Sequence, residues 1–195
     1  DVHSNLYLIG NDAWYCNTPR TVYFCGLIKR KILYEKNSTK QMYPASTTKV
    51  LTAILVIENC DLDEVVTVRE SALSNIPNGY VTCNLRAGEI LTVRDLLYAL
   101  MIPSANDAAY VLAEYVAGSV SDFSVMMNDK AREIGCKTTH FVNPNGIHED
   151  SHYSTAYDQA IIARELVIKH PEILKFSSIY EDYLRENTDN KFWLV

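Results

Sequence analysis

Three stretches of the sequence bring together residue types that can do chemistry. Ser46-Thr47-Thr48-Lys49 places a hydroxyl and an amine three residues apart, a spacing that puts both on one face of a helix. Serine is a poor nucleophile without a neighbouring base, and lysine serves as that base near neutral pH only where its ammonium form is disfavoured. The N-terminus of an apolar helix acts against the charge twice, through its dipole and through its dry surroundings. The same four residues also fit a plainer reading, in which Ser46 caps the helix and Lys49 reaches out to water. Ser104-Ala105-Asn106 follows Pro103 at a seam between two apolar runs. There Asn106 can hydrogen-bond a substrate amide and Ser104 can relay a proton to a leaving nitrogen, or the two simply cap the next helix. The third stretch, His148-Glu149-Asp150-Ser151-His152, matches the His-Glu-x-x-His string of zinc peptidases. That chemistry needs a helix, so that both imidazoles face one metal. Pro144-Asn145-Gly146 before the string and a helix-capping Ser154 after it place it in a loop, so no metal site is expected.

The elements that must position these residues are mostly helical. The chain has 195 residues, 48% of them hydrophobic and 22% charged, the balance of a globular domain with a substantial core. Seven glycines are about half the usual ~7% share, which leans toward helices over a turn-rich β fold. Pro44 opens a run from Ala45 to Asn59 that is apolar almost all round, the pattern of a central, buried helix. Thr92-x-x-Asp95 is a helix-starting box ahead of Leu96, Leu97, Leu100 and Met101. A helix resumes near Asn106 and stops at Gly118; another, capped by Ser121, runs to Gly135. After a loop over 137–153, Ser154 caps a helix carrying Ala160, Ile161, Ala163, Leu166 and Val167. Before all of these, Val22–Cys25 and Ile32–Tyr34 read as a β-hairpin, and Val65–Val68 is a short β-prone piece. Residues 1–20 have no clear period and are left unplaced.

The net charge of −6, with no basic run beyond Lys29-Arg30-Lys31, excludes a nucleic-acid footprint. The longest apolar stretch is far short of the ~18 residues of a membrane span, and the acidic N-terminus lacks the basic-then-apolar pattern of a signal peptide. Five cysteines form no Cys-x-x-Cys pair, leave an odd thiol and read as scattered structural residues.

Ser-x-x-Lys followed about sixty residues later by Ser-x-Asn is two thirds of the motif set of β-lactamases and penicillin-binding proteins. The chain resembles the low-molecular-mass penicillin-binding proteins, the serine-type D-alanyl-D-alanine carboxypeptidases. The resemblance runs from Ile32 to Ile168 through Leu33-Tyr34-Glu35-Lys36-Asn37, Tyr43-Pro44-Ala45-Ser46-Thr47-Thr48-Lys49, Leu85-Arg86-Ala87-Gly88-Glu89, Ser104-Ala105-Asn106-Asp107-Ala108-Ala109, and Pro144-Asn145-Gly146 with His152-Tyr153-Ser154-Thr155-Ala156-Tyr157-Asp158. It implies an α+β fold of the β-lactamase/transpeptidase type, with a helical cluster packed on an antiparallel sheet. It implies Ser46 as the acylated nucleophile, Lys49 as its base, Ser104 as proton relay and Asn106 as the group that orients substrate. The backbone N–H of Ser46 would be one oxyanion donor. The implied substrate is a peptidoglycan stem peptide ending in D-Ala-D-Ala, with β-lactams acylating the same serine, no cofactor and no metal. The implied place is outside the cytoplasm, in a bacterial cell envelope, with membrane association only through segments outside this chain.

The family's third motif, Lys-Thr-Gly, is not in the sequence. Lys137-Thr138-Thr139 precedes the Pro-Asn-Gly block and is rejected as a substitute. The expectation is a single catalytic domain over 1–195, cut short before the strand that carries the third motif, with an incomplete sheet. Ser104-Ala105-Asn106 in place of Ser-Asp-Asn, with no Glu-x-x-Leu-Asn loop, argues against a class A β-lactamase. A transpeptidase and a non-catalytic peptidoglycan-binding module stand as alternatives. Asp158 is expected to pin the 148–152 loop to the helix that follows.

Overall fold

Apolar residues on every side of one segment require neighbours on every side of it, and that requirement organises the molecule. The computed structural model describes the backbone of residues 5–9, 13–18, 21–26, 31–74, 76–173, 176, 182–183 and 193–194, and the side chains of 32, 34–74, 76–173 and 176. Helix α1 (Thr48–Asn59) buries every residue from Thr48 to Val56. It is surrounded by α3 (Val93–Met101), α4 (Asn106–Ala117), α5 (Val120–Ile134) and α6 (Ala156–Lys169). Leu51, Ile54, Leu96, Leu97, Leu112, Phe123, Met127 and Ile162 are the fully buried side chains at the centre of this cluster.

An antiparallel sheet covers the other side of α6. Strands β1 (Asn5–Ile9), β2 (Ala13–Thr18), β3 (Thr21–Gly26) and β4 (Lys31–Lys36) form a meander in the order β1-β2-β3-β4, and α6 lies against β2 and β3. The expected hairpin is present as β3 and β4, with Val22 opposite Lys36 and Phe24 opposite Tyr34. Residues 1–20, left unplaced by the sequence reading, hold β1 and β2, which pair antiparallel with Tyr7 opposite Tyr15. The signal for them was the turn-favouring composition of Gly10-Asn11-Asp12 and Pro19-Arg20 between short β-prone runs.

A second small sheet joins β5 (Val65–Thr67) to β6 (Ile90–Thr92), with the short α2 (Glu70–Leu73) between them. β5 was expected; β6, three residues that run directly into α3, was not. Two further short strands, β7 (Asp182–Tyr183) and β8 (Trp193–Leu194), pair antiparallel.

The helix starts follow one chemical pattern, and two expected caps are corrected by it. Thr92 accepts from the Asp95 backbone N–H while the Asp95 carboxylate accepts from the Thr92 backbone N–H, a complete capping box. Ser119, not Ser121, caps α5, because Gly118 in the left-handed conformation ends α4 and turns the chain at once into the next Ser-x-x-Asp box, 119–122. Thr155, not Ser154, caps α6. Ser154 forms an isolated antiparallel bridge with Met42, and its hydroxyl meets Thr139 and the Gln159 amide.

Asp158 breaks the box pattern. Its buried carboxylate turns away from Thr155 and accepts from the backbone N–H groups of Lys137 (3.1 Å) and Thr138 (2.7 Å) and from the Thr139 hydroxyl (2.7 Å). It therefore pins residues 137–139 to α6 and not the 148–152 stretch that the sequence reading assigned to it. Removing the carboxylate takes the shared acceptor from three part-buried donors. D158A is expected to lose about 2–4 kcal/mol of stability by urea denaturation, with D158N retaining part of the difference.

Candidate active site

The turn that presents Ser46 is built from its neighbours. Pro44 is followed by a single 3₁₀ turn, Ala45–Thr47, that feeds α1, so Ser46 lies one turn before the helix proper and not inside it. The Thr47 hydroxyl donates to the Pro44 carbonyl at 2.6 Å. Ala45 holds φ of +49°, a left-handed conformation that a residue with a Cβ adopts only when its surroundings impose it. The incoming strand is tied on its other flank: Met42 exchanges both backbone hydrogen bonds with Ser154, and the Tyr157 N–H donates to the Ser38 carbonyl.

Ser46 is exposed while Thr47, Thr48 and Lys49 are buried. The Lys49 amine therefore approaches the serine from inside the protein. Its Nζ lies 3.3 Å from Ser46 Oγ, 3.0 Å from Asn106 Oδ1 and 3.1 Å from the Asn145 carbonyl oxygen. Three acceptors satisfy the three N–H groups of an ammonium, yet none of them carries a full negative charge. Burial consequently prevails and lowers the Lys49 pKa to about 8. A group so placed gives up its proton near neutral pH, and as a neutral amine it can accept one from the Ser46 hydroxyl.

Asn106 is the first residue of α4, after the break at Pro103. Both ends of its amide are engaged: Oδ1 accepts a hydrogen bond from Lys49 Nζ and Nδ2 donates to the Val81 carbonyl at 2.9 Å, as does its own backbone N–H. Next to it, Asp107 accepts from the backbone N–H groups of Cys83 and Leu85, so residues 81–85 are laced to the start of α4. Ser104 sits in the break at φ of +62°. Among the described residues its hydroxyl makes no hydrogen bond to Ser46 or Lys49. Ser46 and Asn106 are thus both joined to Lys49, and Ser104 lies in the backbone break two residues before Asn106.

The other wall is the Pro144-Asn145-Gly146 loop, part of the resemblance but given no role from sequence. Thr52 Oγ1 donates to the Pro144 carbonyl at 2.6 Å, and the Asn145 carbonyl receives Lys49. Gly146 has φ of +85°, and a Cβ there would lie 1.8 Å from the Ala45 carbonyl oxygen, so the loop presses on the backbone of the serine turn. The only sequence signal for this contact was the glycine itself.

The His148–His152 string is a loop, as expected, and its two imidazoles do not converge. His148 is exposed and meets the Tyr43 ring edge-on, with centroids 4.4 Å apart. His152 is buried with both ring nitrogens engaged: the Val142 N–H donates to Nδ1 at 3.1 Å and Nε2 lies 2.8 Å from Thr48 Oγ1. An accepting Nδ1 fixes the proton of the neutral ring on Nε2, which donates to Thr48. Burial, aided by His140 and His148, lowers the His152 pKa to about 4. Among the thiols, burial raises Cys60 to about 11 and pushes Cys136 up as well, so neither is a reactive thiolate.

A helical cluster on an antiparallel sheet, with a serine turn feeding a buried Ser-x-x-Lys helix, is an arrangement already known from penicillin-binding proteins. Residues 28–195 match the model of the D-alanyl-D-alanine carboxypeptidase family, peptidase S11, and the chain belongs to that family. It is 46% identical over 170 residues to the D-alanyl-D-alanine carboxypeptidase DacF of Bacillus subtilis, covering 85% of this chain and 43% of that protein. Among solved structures, the D-alanyl-D-alanine carboxypeptidase DacD of Francisella tularensis superposes with a TM-score of 0.76 at 31% identity, over 92% of this chain and 42% of that one. Penicillin binding protein 5 of Haemophilus influenzae gives 0.78 at 30% identity, over 84% and 49%. The chain spans less than half the length of the curated relatives it matches first.

Two outcomes follow from the packing of this site. G146A, which forces a Cβ into the Ala45 carbonyl, is expected to lower stability by at least about 2 kcal/mol and to disturb the serine turn, measured by thermal melting. His152 stays neutral in the folded protein while the unfolded chain takes up a proton near pH 6.5. Its contribution is therefore complete above about pH 6.5 and is lost as pH falls toward 4, amounting to something on the order of 3 kcal/mol. A pH series of urea midpoints checks this, and H152Q is expected to flatten it.

Proposed function

We propose that the protein is an acyl-serine hydrolase acting on peptidoglycan stem peptides that end in D-Ala-D-Ala. The observation that carries this reading is the buried Lys49 amine, 3.3 Å from an exposed Ser46 hydroxyl and with its pKa lowered to about 8. At pH 7 about a tenth of such an amine is neutral, roughly 300-fold more than for an ordinary lysine.

Lys49 Nζ takes the proton of Ser46 Oγ as the oxygen attacks the carbonyl between the two terminal D-alanines. The tetrahedral oxyanion forms beside the Ser46 backbone N–H, a donor worth about 3 kcal/mol of barrier when preorganised. As the bond to the terminal residue breaks, the leaving amine takes a proton from Lys49, with Ser104 as the relay, and D-alanine departs. Water then attacks the Ser46 ester, the shortened peptide leaves as its carboxylate, and a proton returns to Ser46 Oγ to restore the hydroxyl. Asn106 holds Lys49 through Oδ1. β-Lactams present the same carbonyl in a strained ring and acylate Ser46. The names of the relatives support this substrate class, and the chemistry belongs outside the cytoplasm, in the cell envelope where such peptides are exposed.

Labelling with a fluorescent penicillin, followed by mass spectrometry of the adduct, tests the reading. A stoichiometric adduct on Ser46 is expected, lost in S46A and slowed at least about 100-fold in K49A at pH 7. Because the neutral amine is the active form, the wild-type acylation rate should rise about tenfold per pH unit below pH 8 and level off above it. No adduct on this chain, nor on any longer polypeptide containing it, would overturn the proposal.

A further inference from the structure

Three residues on one face of α1 hold the Val142–Gly146 loop. Thr48 receives the His152 ring, Lys49 donates to the Asn145 carbonyl, and Thr52 donates to the Pro144 carbonyl. The spacing 48, 49, 52 is that of neighbouring side chains on a helix surface, so the loop is laid along the first turns of α1 as a strap. Two of the three ties end on loop carbonyls. The third ends on a side chain outside the strap, and that side chain is also bound to the strap, because the Val142 N–H donates to His152 Nδ1.

His152 is rigidly mounted. Its own N–H donates to the Glu149 carbonyl, Tyr153 next to it pairs with His140, and Ser154 pairs with Met42. The Phe141 ring packs edge-on against the imidazole with centroids 5.3 Å apart. The titratable groups bearing on the ring are His140 and His148 of its own loop, and from α1 it faces the neutral hydroxyl of Thr48. On the far side of Thr48, Gly146 comes close enough that a Cβ there would lie 2.9 Å from Thr48 Oγ1.

We propose that His152 is a positioning residue for Lys49: its neutral ring pins the Val142–Gly146 strap to Thr48 and so keeps the Lys49 amine dry, aimed at Ser46. The ring touches neither Ser46 nor Lys49 and acts through Thr48 and the strap. Loosening the strap takes the Asn145 carbonyl from Lys49 and admits water to the amine, which restores the ammonium form that burial had disfavoured. The lysine then titrates closer to its ordinary value and stops serving as a base near neutral pH. The inference deepens the acyl-serine reading and rests on it for the purpose of the lysine.

The test reads the lysine directly. In protein labelled with ¹³C-lysine, the Lys49 Cε resonance, assigned by its loss in K49M, is followed from about pH 6 to 11. The wild-type midpoint is expected near 8. In H152A, and in the isosteric T48V, it should rise by at least one pH unit, with the penicillin acylation profile moving by the same amount. H152Q, which keeps a donor for Thr48, should return the midpoint toward the wild-type value. Near-ultraviolet circular dichroism identifies folded variants; should H152A not fold, T48V decides alone. A folded H152A or T48V with the wild-type midpoint overturns the proposal. Absence of acylation in the wild type overturns the acyl-serine reading instead, and the lysine titration still decides the strap.

Discussion

An amine kept out of water beside a hydroxyl that is not is the constraint on which the rest of the structure turns. Drying Lys49 enough to bring its pKa to about 8 means that at neutral pH the fold carries a cost on the order of 3 kcal/mol relative to a solvated ammonium. Only a well-packed core can hold a group against that tendency. The four helices around α1, the lacing of residues 81–85 by Asp107 and the Pro144–Gly146 strap all bear on this one point. Lys49 is buried among them while the neighbouring serine is exposed.

Two of the four non-glycine residues with positive φ among the described residues flank the same place. Ala45 and Ser104 are both in left-handed conformations, one immediately before the serine and the other in the break before α4. Such positions cost on the order of 1–3 kcal/mol each and persist when packing dictates them. Gly146 against the Ala45 carbonyl provides that packing for the serine turn. At the other position, the Ala105 N–H donates back to Ala99 and the Asn106 N–H to Val81, so the break between α3 and α4 is bonded from both sides. The site is thus assembled from three segments distant in sequence, each immobilised by hydrogen bonds to backbone more than by ion pairs.

Much of this was legible in local chemistry. Thr92, Gly118 and Gly135 mark helix ends that the structure keeps, because caps and left-handed stops depend on a few adjacent residues. The corrected caps at Ser119 and Thr155 obey the same box chemistry; a neighbouring serine of similar propensity drew the sequence reading away by two residues in one case and one in the other. β6 is different in kind. Ile90–Thr92 is β-prone but only three residues long, and it is fixed as a strand by Val65–Thr67 lying opposite. Asp158 shows the same limit, since its carboxylate had a local cap to serve and was taken by donors twenty residues upstream.

The sequence by itself determined the Ser46–Lys49 spacing, the apolar wrapping of the helix that follows, the break at Pro103 and the family resemblance those motifs carry. These are short-range facts, set by helical periodicity and by the conformational limits of proline and glycine. Tertiary structure alone decided that Lys49 is dry, that Asn106 faces the lysine, that the Asn145 carbonyl is its third partner and that His152 is buried with its ring between Thr48 and the Val142 N–H. Desolvation and hydrogen-bond partnership depend on what arrives from elsewhere in the chain, and no local pattern around Ser46 states that residues 81, 106 and 145 will meet there.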